Sequence, residues 1–279
     1  MRTISKNALT VIFVLLAILT MIALAVSTVS GITGMDGEKP DGTVSDVEHP
    51  SFTLKGKTVS FLGDSITTYD GWSNNSGHNT SLGDNATYYN STLMNVNDTW
   101  WKQVVNELKL SLCVNNSCDA GRVTETNDKP SGFERCTELS RGNGQAPDII
   151  IVYLGTNDLG NGIELEGEDG DSTEYFMSSY AMMLDNIKSL YPDADVFVCT
   201  LLPEDRNTED RLLEYNTAIK SIAQSFGADV IDLYADSGIT RANYLQYVID
   251  QGTLRVHPNE AGMDKITQTV VKALTEFYN

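Results

Sequence analysis

Residues Asp148–Asp158 read DIIIVYLGTND, and this stretch is the clearest indicator of the fold class. Its run of apolar, mostly β-branched residues is typical of a strand that is covered on both faces, as in a parallel sheet. Similar runs occur on both sides of it in the chain. The five predicted strands are Thr58–Leu62, Leu110–Val114, Asp148–Leu154, Asp195–Leu202 and Asp229–Tyr234.

Helical patterns separate the predicted strands, at roughly residues 97–109, 175–190 and 208–226. A last helix has Pro258 in its first turn, a position that proline favours. One face of this helix is apolar, with residues at a spacing of three or four: Met263, Ile266, Val270, Leu274 and Phe277. Strands that alternate with helices predict right-handed crossovers and an α/β fold, a three-layer α/β/α sandwich.

The first 51 residues are predicted to lie outside this domain. Arg2 and Lys6 precede an apolar run, Ala8–Val26, which is the pattern of a secretory signal. The run also has the length of a membrane span, so an uncleaved N-terminal membrane anchor is the alternative for residues 1–30. Residues 31–51 are rich in Gly, Pro and Asp and predict a flexible acidic linker. The domain at 52–279 is then extracellular, either secreted or anchored to the outer face of the membrane.

The charge of the chain argues against one class of partner. The sequence has 19 Lys and Arg against 38 Asp and Glu, which gives a net charge of −19. Nucleic acids and anionic lipid surfaces attract positively charged protein surfaces. We therefore expect no nucleic-acid partner, and an acidic, soluble enzyme domain is the favoured class.

Three polar residues lie where predicted strands end or the last helix begins. Ser65 follows the first strand, Asn157 follows the central strand, and His257 precedes the last helix. Ligands of open parallel sheets bind beyond the carboxyl ends of the strands. A serine that attacks an acyl carbon needs a base and donors for the oxyanion, and His257 and Asn157 are of those types. The other two histidines are poorer bases, because His49 lies in the linker and His78 in a polar loop.

The motifs around these residues are Gly63–Thr67 (GDSIT), Gly155–Asp158 (GTND) and His257–Asn259 (HPN). In this order they resemble the SGNH, or GDSL-type, hydrolase superfamily of esterases and lipases. The resemblance spans about residues 56–277, and it implies a flavodoxin-like arrangement of the parallel sheet.

The same resemblance implies the roles of individual residues. Ser65 would be the nucleophile and His257 the general base, while the Asn157 side chain and the Ser65 N–H would bind the oxyanion. The family's further donor is a glycine after the second strand, for which Gly121 is our choice. Its neighbour Ala120 is the alternative, because only a backbone N–H is required.

The chain departs from the family pattern at the acid of the triad. The family usually has this Asp three residues before the His, a position that Leu254 occupies here. The nearest preceding acid is Asp250. Either the segment bulges so that Asp250 faces His257, or the enzyme works with a Ser-His dyad, since the acid mainly orients the imidazole.

The cysteines and metal motifs give weaker signals. Cys113 and Cys199 lie in predicted strands, where we expect buried thiols. Cys118 and Cys136 flank a polar loop, and in an exported chain they are either a disulfide or two free thiols. No metal-binding or phosphate-cradling motif occurs, so we expect neither a metal nor a cofactor.

The leading hypothesis is an exported serine esterase that forms an acyl-enzyme on small acyl esters, with O-acetyl groups on a carbohydrate as the favoured substrate. Aromatic residues that can stack on sugars follow the serine: Tyr69, Trp72, Tyr88, Tyr89, Trp100 and Trp101. For Trp100 and Trp101 a place in the core is the stronger expectation, because they open an amphipathic helix. The alternatives are a lipase or thioesterase of the same fold and a catalytically degenerate carbohydrate-binding module.

Overall fold

The structure is a computed structural model of the chain of 279 residues. It describes residues 54–72, 88, 95–126, 130–167, 172–249 and 255–279. The proposed signal or anchor at 1–30 and the linker at 31–51 lie outside these ranges. Within the ranges, no helix combines the length and the apolar character that a membrane crossing requires.

A parallel sheet forms the centre of the domain, and its strands are close to those predicted. They are β1 (Thr58–Gly63), β2 (Ser111–Ser117), β3 (Ile149–Tyr153), β4 (Asp195–Cys199) and β5 (Asp229–Ile231). The strand order is β2-β1-β3-β4-β5, and every pair is parallel. This is the flavodoxin-like order. All five residues of β3 are buried, as the apolar run predicts.

Helices pack around this sheet in two groups. They are α1 (Trp100–Glu107), α2 (Gly132–Arg135), α3 (Thr156–Gly160), α4 (Phe176–Leu190), α5 (Glu209–Ser225), α6 (Leu233–Asp236) and α7 (Glu260–Tyr278). Helix α1 packs against α7, whereas α4 packs against α2 and α5. The predicted α/β/α class is therefore confirmed. The short helices α2, α3 and α6 were not predicted, because they are too short to show an apolar period.

The last helix starts later than its sequence predicts. It begins at Glu260, after the N-cap Asn259, whose side chain accepts a hydrogen bond from the Gly262 N–H at 3.0 Å. Pro258 is therefore not in the first turn and instead bridges to Val248. The predicted apolar face is buried at Met263, Ile266, Val270 and Leu274. Phe277 is the exception, because it is 44% exposed.

The second strand extends to Ser117, three residues beyond the predicted end at Val114. Its last residues are polar but buried, and their side chains bond to neighbouring backbone. The Asn115 amide donates to the Thr67 carbonyl at 2.9 Å, and the Asn116 amide donates to the last carbonyl of α2 at 2.8 Å. These bonds satisfy side chains that a sequence pattern assigns to a loop.

The fourth and fifth strands are shorter than predicted. Strand β4 ends at Cys199 rather than Leu202, and β5 ends at Ile231 rather than Tyr234. After β5 the side chain of Asp232 accepts a hydrogen bond from the Ala235 N–H and caps α6. The apolar residues that follow both strands are thus in loops or a helix at the carboxyl edge of the sheet.

Candidate active site

Ser65 lies directly beyond the end of β1, in a 3-10 turn that covers Ser65–Thr67. Asp64 caps the turn, because its side chain accepts a hydrogen bond from the Ile66 N–H at 2.9 Å. The Thr68 hydroxyl donates to the Ser65 carbonyl at 2.8 Å. Ser65 is buried in this turn, so its backbone and side chain are held in one place.

His257 is held from both sides, just before the N-cap of α7. Its carbonyl accepts a hydrogen bond from the Ile249 N–H at 2.8 Å. The Tyr88 hydroxyl donates to the Pro258 carbonyl at 3.0 Å, and the Tyr88 ring meets the imidazole edge to face at a centroid distance of 6.1 Å. The imidazole is therefore packed as well as tethered.

The Oγ atom of Ser65 lies 3.0 Å from Nε2 of His257. With the proton of the neutral ring assigned to Nδ1, Nε2 accepts the serine hydrogen. Burial lowers the pKa of His257, and the positive charge of Arg206 acts in the same direction, while the carboxylate of Asp119 opposes them. A histidine that is neutral at neutral pH is ready to take a proton, so this pair has the arrangement of a nucleophile and its base.

Asn157 lies in α3, next to the turn that follows β3. Gly155 makes this turn with a φ of +122°, a conformation that favours glycine. The Asn157 amide nitrogen donates to the Gly121 carbonyl at 2.9 Å. A carboxamide carries two N–H donors, so this bond uses one and leaves a second.

The three predicted catalytic positions meet at one edge of the sheet. Their chain neighbours Ile66, Thr156 and Pro258 line the same small cavity. The carboxyl ends of β1 and β3 and the start of α7 therefore bring Ser65, Asn157 and His257 together, as the strand-end argument predicts.

The predicted donor Gly121 has its amide engaged within its own loop. Its N–H donates to the Cys118 carbonyl at 3.1 Å. Ala120 has a φ of +54° and is exposed. A left-handed conformation at an L-residue costs about 1–2 kcal/mol, so the loop holds Ala120 in a strained state. The N–H of Gly121 is therefore engaged in this turn, and the choice between Gly121 and Ala120 as the oxyanion donor stays a prediction.

Asp158 fastens this loop to α3. Its carboxylate accepts hydrogen bonds from the Val123 N–H at 2.9 Å, the Thr124 N–H at 3.0 Å and the Thr124 hydroxyl at 2.7 Å. Burial raises the pKa of this carboxyl. Asp158 follows Asn157 directly in α3. Its hydrogen bonds therefore hold the loop of Ala120 against the helix that carries Asn157.

Asp64 is a buried carboxyl directly next to the nucleophile. Burial raises its pKa to about 7, although the Ile66 N–H and the charges of Arg135 and Arg206 act in the opposite direction. Its Oδ2 atom has no hydrogen-bond partner among the described residues. The carboxyl therefore changes its charge near neutral pH.

Asp250, the predicted third member of a triad, lies outside the described residues, as does Leu254. A different acid, Asp119, acts on the imidazole, since its carboxylate raises the pKa of His257. Asp119 is in the loop after β2, so no sequence distance from the histidine could indicate it.

Cys118 and Cys136, for which a disulfide and two free thiols were the alternatives, are both free thiols. Cys113 and Cys199 are also free, and Cys199 is buried as expected, whereas Cys113 is only partly buried. The Cys136 thiol instead donates to the Phe133 carbonyl at 3.0 Å, and burial raises its pKa to about 11. The alternative of two free thiols therefore describes this loop. Within the described ranges, no group of three or more His, Cys, Asp and Glu side chains could hold a metal ion.

The aromatic residues near the serine divide into core and surface. Trp100 and Trp101 are fully buried, and Phe61 packs edge-on against Trp100 at a centroid distance of 5.4 Å. Their expected place in the core is confirmed. Trp72 is 44% exposed, and Tyr89 lies outside the described residues.

Sequence reasoning missed two arginines at the carboxyl edge of the sheet. The Arg135 guanidinium donates to the carbonyls of Gly63 at 2.9 Å and Asn116 at 2.7 Å, which joins the ends of β1 and β2. Arg206, in the loop after β4, contacts Asn157. A signal for Arg206 was available, because it follows a predicted strand just as Ser65 and Asn157 do.

Solved structures with the same fold are similar to this chain at low sequence identity. A protein described as a GDSL-like lipase from Bacteroides ovatus is 23% identical, with a TM-score of 0.58, 80% of this chain covered and 99% of the other. A catalytic mutant of an acetylxylan esterase from Geobacillus stearothermophilus is 20% identical, with a TM-score of 0.53 and coverages of 78% and 94%. A carbohydrate esterase family 3 protein from Talaromyces cellulolyticus is 18% identical, with a TM-score of 0.53 and coverages of 80% and 98%.

A match to a protein-family model identifies the family of this chain. Comparison with curated proteins gives no significant match. The model of the GDSL-like lipase/acylhydrolase family matches residues 57–274, well over half of the chain. This match favours an ester hydrolase over the non-catalytic carbohydrate-binding module. The chain therefore belongs to the GDSL-like lipase/acylhydrolase family of carboxylic ester hydrolases.

Proposed function

We propose that the protein is a serine esterase in which Ser65 attacks the acyl carbon and His257 takes the hydroxyl proton. The observation that carries this proposal is the distance of 3.0 Å between Ser65 Oγ and His257 Nε2. Attack forms the bond between Oγ and the acyl carbon. The protonated His257 then gives its proton to the leaving alcohol as the ester bond breaks, and water hydrolyses the acyl-enzyme by the same route.

The oxyanion of the tetrahedral intermediate is bound by donors from three segments. They are the Ser65 N–H, the second N–H of the Asn157 amide and the Ala120 N–H. Donors fixed before the reaction stabilise developing negative charge without reorganisation. The hydrogen bonds of Asp64 and Asp158 support this arrangement, because they hold the Ser65 turn and the Ala120 loop in place.

Two arrangements of the imidazole support are compatible with this mechanism. In the triad, Asp250 receives the Nδ1–H of His257; in the dyad, another acceptor orients the ring. An acid orients the ring and stabilises the imidazolium without itself taking the proton. The steps at Ser65 are the same in both arrangements.

Small acyl esters, with O-acetyl groups on carbohydrate first among them, are the proposed substrates. Trp72 is partly exposed, and an indole ring is a side chain of the kind that stacks on sugars. Two similar structures are an acetylxylan esterase and a carbohydrate esterase. A lipase or thioesterase is the alternative, and it differs in the acyl chain length that it prefers.

The test is hydrolysis of p-nitrophenyl esters of increasing acyl length, followed by acetate release from acetylated xylan. We expect the highest kcat/KM for the acetyl ester and acetate release from the polymer, both abolished in Ser65→Ala. A maximum at long chains would identify a lipase and overturn the substrate part. Equal rates in wild type and Ser65→Ala would overturn the mechanism.

Export is proposed from the sequence of residues 1–30. Arg2 and Lys6 before the apolar run Ala8–Val26 are the features that support it. Fractionation of cells that express the full chain provides the test. Esterase in the medium or accessible on the outer surface supports export, and esterase confined to the cytoplasm contradicts it.

A further inference from the structure

Arg206 occupies the loop after β4 and touches the helix that carries Asn157. Its Nη1 donates to the Asn157 side-chain oxygen at 3.4 Å, and its Nη2 donates to the Thr156 carbonyl at 3.3 Å. The guanidinium has only donors, so it can contact only the oxygen end of the Asn157 amide. The amide nitrogen is thereby left to face the loop of Ala120 and the oxyanion.

The surface of α3 is shaped to receive this guanidinium. A side-chain carbon at Gly160 would lie only 2.3 Å from Cζ of Arg206 and 2.5 Å from its Nε. The arginine therefore fills the space that the missing side chain leaves, one turn of helix beyond Asn157. Any larger residue at Gly160 would displace it.

A buried carboxylate holds the other side of the arginine. The Nε of Arg206 donates to a Glu204 side-chain oxygen at 2.6 Å. The second oxygen of Glu204 accepts a hydrogen bond from Asn207. Glu204 is 1% exposed, so its negative charge is kept inside the fold only together with this partner.

We propose that Arg206 is a positioning residue, which orients the Asn157 amide toward the oxyanion. The inference rests on the proposed function of Ser65, His257 and Asn157. A donor on the Asn157 oxygen polarises the amide and strengthens the N–H that faces the oxyanion.

The charge of Arg206 has a second effect, on the base. The described groups that act on His257 include the Ser65 hydroxyl, the Tyr88 ring, the Asp119 carboxylate and the Arg206 guanidinium. Burial lowers the pKa of His257, Arg206 lowers it further, and Asp119 raises it. Loss of the arginine should therefore raise the pKa of His257 and move the acid limb of activity to higher pH.

The test compares Arg206→Gln, Arg206→Lys and Gly160→Ala, with Arg211→Gln as the matched control. Arg211 also bears ion pairs, but they join it to Glu164 and Glu214, which are not residues of the site. The readouts are kcat, KM, the pH profile of kcat/KM, and an NMR titration of His257 assigned with His257→Ala.

We expect Arg206→Gln to lower kcat by about 10-fold at a nearly constant KM, a smaller loss than that of a whole oxyanion donor. The acid limb and the titration of His257 should both move to higher pH. Arg206→Lys keeps the positive charge, so the titration of His257 in this variant should stay near that of wild type, while kcat falls. Arg211→Gln should match wild type.

Gly160→Ala keeps Arg206 and adds a residue that favours helix, so it should remain folded. Its added carbon should push the guanidinium away and lower kcat as Arg206→Gln does. Wild-type kcat in both variants, with an unchanged His257 titration, would overturn the inference. An absence of Ser65-dependent hydrolysis in wild type would instead overturn the proposed function, and the NMR titration would still decide whether Arg206 acts on His257.

Discussion

The Oγ of Ser65 and Nε2 of His257 lie 3.0 Å apart, although 192 positions of the chain separate the two residues. The sheet topology produces this contact. Strand β1 lies between β2 and β3, so its carboxyl end opens at the middle of the edge where the loops gather. The residues before α7 return to that edge, and the bridge between Val248 and Pro258 fixes their approach.

Removal of the Asn157 amide should reduce turnover without weakening substrate binding. Loss of one oxyanion donor typically lowers kcat by about 10²–10³-fold. Asn157→Ala should therefore show that loss at a constant KM in steady-state kinetics with an acetyl ester. Asn186→Ala is the control, because Asn186 lies in α4 and its amide donates to the Phe133 carbonyl. A change confined to KM would mean that Asn157 only binds substrate.

The pH profile should report the environment of His257. Its pKa lies below the ordinary 6.5, so the acid limb of kcat/KM should have its midpoint below that value. The Asp119 carboxylate raises the pKa of His257. Asp119→Asn should therefore move the limb to still lower pH, whereas Glu214→Gln, which removes a surface acid, should not. A shift to higher pH in Asp119→Asn would contradict this account.

Asp64 should make the fold less stable as the pH rises. Its pKa is raised from 3.8 to about 7 in the folded protein, chiefly by burial. A raised pKa gives stability that is complete below the unfolded value and is lost as the pH rises through the folded value. This carboxyl should cost up to about 4 kcal/mol of unfolding free energy between about pH 4 and pH 8.

Urea unfolding of Asp64→Asn at these two pH values measures this cost, because the variant lacks the titrating group. Its unfolding free energy should fall less between them than that of wild type. Asp148→Asn should retain the wild-type decline, since hydrogen bonds from Thr58 hold the pKa of Asp148 below its usual value. An identical decline in Asp64→Asn and wild type would show that folding does not raise the pKa of Asp64.

The strained loop residue should tolerate glycine. Ala120 and Lys109 both have a φ of +54°. Glycine adopts this conformation without the steric cost, so Ala120→Gly and Lys109→Gly should each raise the unfolding free energy by about 1 kcal/mol. Ala120→Gly should also keep its kcat, because the backbone N–H remains. A destabilised Ala120→Gly variant in thermal unfolding would contradict the backbone geometry.

The sequence predicts those parts of the fold that depend on local pattern. The apolar run of β3 and the apolar face of α7 follow from burial alone, and Ser65, Asn157 and His257 follow from their places at element ends. The end of β2 could not be predicted, because Asn115 and its neighbours read as a loop and are satisfied only by distant backbone.

The supports of the site depend on contacts that the sequence does not display. The N–H of Gly121 donates to the carbonyl of Cys118, three residues earlier. The sequence does not indicate whether this turn engages the N–H of Gly121 or that of Ala120. Arg206 meets Asn157 only because β4 lies next to β3 in the sheet. Strand order is a property of the whole fold, so such partners follow from topology rather than from a motif.

The most direct test of the central claim is covalent labelling by a serine-directed fluorophosphonate, with the adduct located by mass spectrometry. A serine activated by a neighbouring base reacts with such probes as it does with an ester. The account predicts one adduct, on Ser65, that is lost in Ser65→Ala and strongly reduced in His257→Ala. An adduct on another residue, or esterase activity that persists in Ser65→Ala, would contradict it.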